Sequence, residues 1–179
     1  MTEFVLAGGC FWCLDSSFSQ FKGVADVVCG YAGGHKANPT YEEVCGEGTG
    51  HAEVAKVIFD ENVISAETIL DIYFTLHDPR QLNRQGNDIG TSYRSAMFYQ
   101  GEEQKLLFEK ALERAGEMWE GQIVTTLQPL EIFWDAEDYH QDYFSKNPQN
   151  AYCQTVVSGK MAKTRAAFTE FLKLSLIHI

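Results

Sequence analysis

A short apolar segment that leads through two glycines into a helical pattern constrains the fold more than any other feature of this sequence. Residues 4–7 are apolar, and Gly8 and Gly9 follow them. Apolar side chains then recur at helical spacing, at Phe11, Leu14, Phe18 and Phe21. This order predicts a buried strand, a tight turn, and a helix that ends at Gly23. Cys10 is therefore expected at the N-terminus of that helix.

The rest of the chain mixes strand patterns and helix patterns without strict alternation. Strand patterns occupy residues 24–31, 52–59, 94–99 and 123–133. Helix patterns begin at the capping box of residues 40–43 and at Ser65, and occupy residues 102–119, 136–144 and 158–174. Pro129 indicates an edge position or a bulge for the last strand. The mixture predicts one α+β domain over residues 1–179 rather than a doubly wound sheet.

Charge and hydropathy exclude several classes of partner. The formal net charge is -11, so phosphate backbones and anionic bilayers would repel the chain. We therefore expect no nucleic-acid partner. No apolar run reaches the roughly 20 residues that a membrane-spanning helix needs, and the N-terminus has no signal-peptide pattern. These features and the odd number of cysteines, 5, predict a cytoplasmic protein without a disulfide framework.

The closely spaced thiols Cys10 and Cys13 are the strongest candidates for chemistry. A thiol at a helix N-terminus lies at the positive end of the helix dipole, which favours the thiolate. Phe11 and Trp12 place large apolar faces beside the sulfur. For Cys13 alone, a buried structural cysteine is an equally good interpretation. For Cys10, the glycine turn favours a reactive thiol.

Two further segments offer polar groups whose roles the residues alone leave open. Glu53 opens a strand rich in valine and alanine, where burial would raise its pKa and make it a proton donor. Taken by itself, an exposed glutamate at a strand edge is the better interpretation. Residues 77–93 form a long polar segment that contains Asp88 and Tyr93, and loops of this length are usually functional or disordered. Tyr41 fits either a buried aromatic residue or a ligand-binding phenol.

Together these segments resemble the peptide methionine sulfoxide reductase A family. The matching stretches are GGCFWC, GYAGGHKANPTYEEVC, GTGHAEV, HDPRQLNRQGNDIGTSYRSAMFY and NPQNAYC, in family order over most of residues 4–153. The resemblance implies a compact α+β sandwich in which helices flank a mixed sheet. It also implies a ferredoxin-like core over about residues 4–145 and a coil-rich C-terminal extension over residues 146–179.

The resemblance also implies an activity, which is reduction of the S epimer of methionine sulfoxide, free or in oxidised proteins, to methionine. It assigns Cys10 as the nucleophile and Glu53 as the acid. Tyr41, Asp88 and Tyr93 would bind the sulfoxide oxygen, and the methyl group of the substrate would lie against aromatic residues, Phe11 and Trp12. No metal or organic cofactor is implied, and thioredoxin or another dithiol is the expected external reductant.

The chemistry is consistent with these residue types. A thiolate attacks the sulfoxide sulfur, and a neutral carboxylic acid protonates the oxygen. Cys10 then becomes a sulfenic acid, which a second thiol converts to a disulfide. Cys13 lies one helical turn from Cys10, with Cα atoms roughly 5 Å apart, and local geometry favours it. The resemblance favours Cys153. Our prediction is that Cys13 attacks first and Cys153 then takes over the bridge.

Two departures from the family distinguish this sequence, and two other functions compete. Cys13 stands where many members have glycine, and no cysteine follows Cys153. A thioredoxin-like thiol–disulfide oxidoreductase that uses Cys10 and Cys13 is the main alternative; it assigns no role to Glu53. A redox-sensing or zinc-holding module that uses the thiols as ligands is the third.

Overall fold

The computed structural model describes residues 1–174 of the 179-residue chain. Eight strands lie in this part of the chain: β1 Thr2–Ala7, β2 Val24–Ala32, β3 Ala52–Phe59, β4 Arg84–Gln85, β5 Asp88–Ile89, β6 Ala96–Tyr99, β7 Thr126–Pro129 and β8 Trp134–Asp135. The α-helices there are α1 Phe11–Phe18, α2 Tyr41–Cys45, α3 Ala66–Leu76, α4 Glu102–Met118, α5 Tyr143–Lys146 and α6 Ser158–Ala167. No helix of residues 1–174 is both long enough and apolar enough to cross a bilayer.

Six strands form one mixed sheet in the order β7-β6-β1-β3-β2-β8. The neighbours are antiparallel except β6 and β7, which are parallel. Helices flank this sheet, as predicted. β7 lies at one edge with Pro129 as its last residue, the position predicted from the proline, because an edge strand tolerates a residue without a backbone N–H.

Alternation along the central strands assigns their side chains to two sheet faces. Phe4 and Leu6 of β1 enter the main core with α3 and α4, and the Phe4 ring meets the rings of Phe59 and Phe108 edge-on at 5.0 Å. Val5 and Ala7 point to the other face, where they pack in a smaller cluster. β1 and β3 are therefore rigid supports, and the segments at their ends carry the candidate chemistry.

Several helices start where the sequence predicts. Thr40 forms a capping box with Glu43 at the start of α2, and Ser65 caps α3 by accepting a hydrogen bond from the Thr68 backbone. α1 begins at Phe11 as expected but ends at Phe18, before the predicted end. The helix predicted at residues 136–144 is wrong. A 3₁₀ turn at Asp138–His140 and the short α5 replace it, with Asp142 in the left-handed region between them.

The C-terminal extension differs most from the prediction. It is largely helical rather than coil-rich: a π-helical turn at Cys153–Val157 continues into α6. α6 is anchored to the end of α1, where the buried Gln20 side chain donates to the Thr164 hydroxyl at 3.2 Å and accepts from Arg165. Leu172 enters the main core. The local pattern predicted a helix over residues 158–174; α6 begins at Ser158 as predicted and ends at Ala167, and these tertiary contacts hold it against the rest of the protein. The apolar residues 175–179 lie outside the described part.

Candidate active site

Cys10 lies at the turn between β1 and α1, where the sequence places it. It is the N-cap of α1, and the Cys13 backbone N–H donates to the Cys10 carbonyl at 3.1 Å. Gly9 has φ +87, and a Cβ there would lie 2.9 Å from the Gln85 side chain. The turn therefore requires glycine both for its backbone conformation and for space.

The two thiols of this helix start are buried and interact with each other. Cys10 is 8% exposed and Cys13 is fully buried. The two thiols lie close enough to shift each other's pKa. Burial, the neighbouring Cys13 thiol and the nearby Glu53 raise the pKa of Cys10 well above its ordinary value, whereas the Cys10 thiol lowers the pKa of Cys13. The expectation of a stabilised thiolate at Cys10 is thus wrong for the resting enzyme, because desolvation outweighs the helix dipole.

Glu53 is a buried acid, not the exposed strand-edge residue that its immediate sequence suggests. It lies on β3 opposite Tyr31 and is 1% exposed. Its Oε1 accepts a hydrogen bond from the backbone N–H of Phe11, the residue after Cys10, at 3.1 Å. Burial raises the pKa of Glu53 to about 8, although the Phe11 hydrogen bond acts in the opposite direction. The carboxyl group is therefore protonated at neutral pH.

Aromatic side chains surround the turn that carries Cys10. The Trp12 ring is half-buried and stacks on Tyr143 with a centroid distance of 3.7 Å and an angle of 2°. The Trp12 indole N–H donates to Nδ1 of His140 at 3.1 Å, which fixes the indole plane. Phe11 is fully buried, with its ring 5.0 Å from that of His140. Trp12 and Phe11 therefore form an apolar wall at two depths, and the Trp12 face is partly accessible to solvent.

The predicted polar residues Tyr41, Tyr93 and Asp88 lie on the same side of the molecule but on separate elements of the fold. Glu137 accepts hydrogen bonds from the Tyr41 backbone at 2.9 Å and from the Tyr31 hydroxyl at 2.8 Å, which fixes the start of α2. Burial raises the pKa of Tyr41 and of Tyr93, and the charge of Glu53 contributes to both. Both phenols are therefore neutral hydrogen-bond donors that lie close enough to Glu53 for its charge to raise their pKa values.

Asp88 is connected to the thiol pair through a tyrosine. Its Oδ2 accepts a hydrogen bond from the Tyr152 hydroxyl at 2.5 Å, and that hydroxyl lies 4.0 Å from the Cys13 sulfur. The neighbouring Cys153 is buried in the same cluster as Cys10 and Cys13. Burial raises the pKa of Cys153. Both candidate resolving thiols are thus packed near the turn in this structure.

The sequence matches a known protein family over most of its length. The sequence model described as "Peptide methionine sulfoxide reductase" matches residues 2–172. The chain belongs to this family. Peptide methionine sulfoxide reductase MsrA of Clavibacter michiganensis subsp. michiganensis is 56% identical over 173 residues, which cover 97% of this chain and 99% of that protein. The chain is therefore an oxidoreductase.

Solved structures of a known protein share the fold. The structure of Mxr1 from Saccharomyces cerevisiae in reduced form has a TM-score of 0.81 and 35% identity, covering 87% of this chain and 90% of that one. Mxr1 in complex with Trx2 has a TM-score of 0.58 and 25% identity, covering 79% of this chain and 84% of that one. The mixed sheet and its flanking helices are thus shared with Mxr1.

Several residues that shape the site of this reductase were not predicted from the sequence. Tyr152 directly precedes Cys153 in a family motif, which was the one available signal. His140 lies in no motif that points to the site, yet it is fully buried, and its Nε2 has no hydrogen-bond partner among the described residues. Lys160 belongs to the extension, where the sequence offers no motif. In the part of the chain that the structure describes, no three His, Cys, Asp or Glu side chains cluster as metal ligands.

Proposed function

We propose that this reductase converts the S epimer of methionine sulfoxide, free or in oxidised proteins, to methionine through a sulfenic acid at Cys10. The observation that carries the proposal is Glu53, a carboxylic acid that is protonated at neutral pH and hydrogen-bonded to the backbone of the residue after Cys10. A sulfoxide oxygen is a poor leaving group unless it is protonated, so a neutral acid beside a thiol matches this reaction.

In the first step, the Cys10 sulfur attacks the sulfoxide sulfur while Glu53 protonates the oxygen. The oxygen passes to Cys10, the sulfoxide is reduced to the thioether, and Cys10 is oxidised to the sulfenic acid. The Cys10 proton ends on Glu53, which restores the acid. We assign Tyr41, Tyr93 and Asp88 to binding of the sulfoxide oxygen and the protons around it. The two phenols support this role because they remain neutral donors.

The methyl group of the substrate is assigned to the aromatic wall. Trp12 offers a half-buried face held by Tyr143 and His140. Phe11 closes the wall from inside the core. A rigid apolar surface beside a polar oxygen site discriminates between the two epimers, because exchanging methyl and oxygen would bury the oxygen without a hydrogen bond.

In the second stage, we propose that Cys13 attacks the sulfenic sulfur, which forms a Cys10–Cys13 disulfide and releases water. Cys153 then attacks Cys13, frees the Cys10 thiol and leaves a Cys13–Cys153 disulfide. A dithiol reductant, thioredoxin, reduces that disulfide and is itself oxidised. Two observations support this order: Cys13 lies one helical turn after Cys10, where the two thiols affect each other's pKa, and Cys153 is packed in the same buried cluster. The complex of Mxr1 with Trx2 supports thioredoxin as the partner.

The decisive experiment combines epimer-specific turnover with three variants. Cys10→Ser is expected to abolish thioredoxin-coupled reduction of the S epimer while the protein stays folded. Cys45→Ser is the matched control, because it removes an exposed thiol and keeps a hydrogen-bonding hydroxyl. Near-normal activity of Cys10→Ser would refute the nucleophile. Efficient insulin reduction that ignores Glu53→Gln would favour the thioredoxin-like alternative instead.

The order of the resolving thiols is tested on enzyme oxidised with one equivalent of sulfoxide and quenched rapidly. Mass mapping is expected to show a Cys10–Cys13 bridge before a Cys13–Cys153 bridge. Cys13→Ser should slow the first disulfide, whereas Cys153→Ser should leave it fast and impair recycling. An early Cys10–Cys153 bridge with Cys13 still free would reject the order.

We also retain three coarser expectations as proposals. The order β6-β1-β3-β2, with α1 and α3 as connections, supports a ferredoxin-like core. One domain over residues 1–179 is supported by Cys153 and Leu172, residues of the extension that are buried with the main body. A reducing, cytoplasmic location is supported by the 5 free cysteines, Cys10, Cys13, Cys29, Cys45 and Cys153.

A further inference from the structure

Lys160 places an ammonium group against the turn that carries the reactive thiols. It lies in the first turns of α6, within the C-terminal extension, and it is half-buried. A Cβ built on Gly9, the residue before Cys10, would lie 3.7 Å from its Nζ. Among the carboxylates of residues 1–174, none forms an ion pair with Lys160. A half-buried cation without an ion pair has a cost in solvation, which points to a partner of another kind.

The space around this ammonium connects it with Cys13. A cavity of about 180 Å³ lies between the hairpin loop at residues 85–88 and the extension, and Tyr152, Val156 and Lys160 form its other wall. The Tyr152 hydroxyl in that wall is the group that lies 4.0 Å from the Cys13 sulfur. Protein surrounds this space on two sides, so a charge in its wall acts over a longer range than it would in bulk water.

We propose that Lys160 is a positioning residue for resolution: its ammonium keeps Cys13 as the thiolate that attacks the Cys10 sulfenic acid. This inference rests on the proposed role of Cys13 as the first resolving thiol and adds the group that activates it. Attack on a sulfenic sulfur requires a thiolate, and a nearby lysine is one of the ordinary ways to provide one.

Five groups that face Cys13 decide whether its thiolate is stable. The neighbouring Cys10 thiol lowers the pKa of Cys13 most, and burial opposes it. Lys160 and the Tyr152 hydroxyl also lower that pKa, whereas the charge of Asp88 raises it. Glu53, the fifth group, interacts with Cys13 but is protonated at neutral pH. Lys160 is the only cation in this set.

The ammonium group of Lys160 contributes a larger share of the stabilisation of the Cys13 thiolate after the first step of the reaction. When Cys10 becomes a sulfenic acid, the thiol that lowers the pKa of Cys13 no longer exists. The ammonium on α6 is unchanged by that oxidation. Lys160 therefore keeps Cys13 ionised at the stage when the thiolate attacks the sulfenic sulfur, the S–O bond breaks, and the leaving hydroxyl takes the proton of the Glu53 carboxylic acid and departs as water.

The test measures how fast iodoacetamide alkylates Cys13 in the reduced enzyme between pH 5 and pH 10, with mass mapping of each cysteine. Lys160→Gln should slow alkylation of Cys13 at pH 7 by roughly threefold to tenfold and shift its pH profile upward, as expected for loss of one nearby charge. Lys160→Arg should keep the profile. Lys163→Gln is the matched control, because Lys163 lies on the same helix but over the Trp119 ring.

The same variants are then oxidised with one equivalent of methionine sulfoxide. Lys160→Gln should leave release of methionine unchanged and slow the appearance of the Cys10–Cys13 disulfide by a similar factor. An unchanged Cys13 profile in Lys160→Gln would overturn the inference and leave the relay intact. A Cys10–Cys153 bridge that appears first in the unmutated enzyme would instead overturn the relay, and the role of Lys160 with it.

Discussion

Replacing Glu53 with glutamine should stabilise the protein while it impairs the reaction. Glu53 is 1% exposed, and burial raises its pKa to about 8 from an ordinary 4.5. Glutamine has almost the same size, and its carbonyl oxygen can accept the Phe11 hydrogen bond. It has no proton to lose. The variant therefore removes the titration of this site and keeps its packing.

The expected magnitude follows from the difference between the folded and unfolded pKa values. Because the folded pKa is raised, the folded state binds the proton more tightly than the unfolded chain, which loses it near pH 4.5. The free energy of unfolding is therefore unaffected by Glu53 below pH 4.5 and falls as the pH rises toward about 8. The slope approaches about 1.4 kcal/mol per pH unit, so the loss between pH 5 and pH 7 is about 2.5 kcal/mol.

Urea unfolding at pH 5, 6 and 7, followed by tryptophan fluorescence, measures this effect. The unfolding free energy of Glu53→Gln relative to wild type should increase by about 2–3 kcal/mol from pH 5 to pH 7, or about 5–10 °C in melting temperature. The difference between the two proteins isolates Glu53, because other groups such as Asp15, with a pKa of about 6, titrate in both. Glu117→Gln on the exposed side of α4 is the matched control and should show no such trend.

Activity provides the second measurement on the same variant. Single-turnover reduction of the S epimer should slow by roughly a hundredfold, the usual contribution of a general acid. In wild type, this rate should decline as the pH rises through about 8, where Glu53 loses its proton. A stability difference that stays constant from pH 5 to pH 7 would refute the protonated state in the folded protein. A variant with an unchanged single-turnover rate would refute its role as the acid.

Three further substitutions test the supports of the site. Tyr152→Phe removes the hydroxyl that donates to Asp88 and should cost about 1–2 kcal/mol in urea unfolding; no loss would show that the bond is not stabilising. Gly34→Ala should cost about 2 kcal/mol or more, because its Cβ would lie 2.3 Å from backbone of the facing loop, whereas Gly48→Ala, with open space around it, should be neutral. Gln20→Ala should speed hydrogen exchange in α6, and unchanged exchange would exclude it as the anchor.

Local patterns predicted most of the elements that support the site. The glycine-ended apolar run placed Cys10 at the start of α1, and the residues at Thr40 and Ser65 cap their helices as expected. Such features depend on backbone geometry and on neighbours three or four residues away, which the sequence displays directly. The helix prediction for residues 136–144 was wrong because the aromatic residues of this segment are spaced for contacts with Trp12 and not for a continuous helical face.

Only the complete fold brings the candidate residues together. Tyr152 and Asp88 are 64 positions apart in sequence, and Trp12 and His140 are 128 apart, yet each pair shares a hydrogen bond. No periodicity connects residues at such separations. The local pattern predicted a helix beginning at Ser158, but not the contacts that hold α6 against the end of α1, because Gln20 and Thr164 are 144 positions apart.

The sequence by itself determined the family, the mixed α+β architecture and the position of Cys10, since all three follow from local motifs in order. Only the tertiary structure decided the ionisation of the site. Glu53 was judged exposed from its neighbours in sequence, but β-sheet pairing buries it, and its carboxyl holds a proton at neutral pH. Cys10 was expected to be the thiolate, but burial keeps its thiol protonated and Cys13 is the more acidic of the pair. The reason is that desolvation sums over every atom around a group, and most of those atoms come from distant parts of the chain.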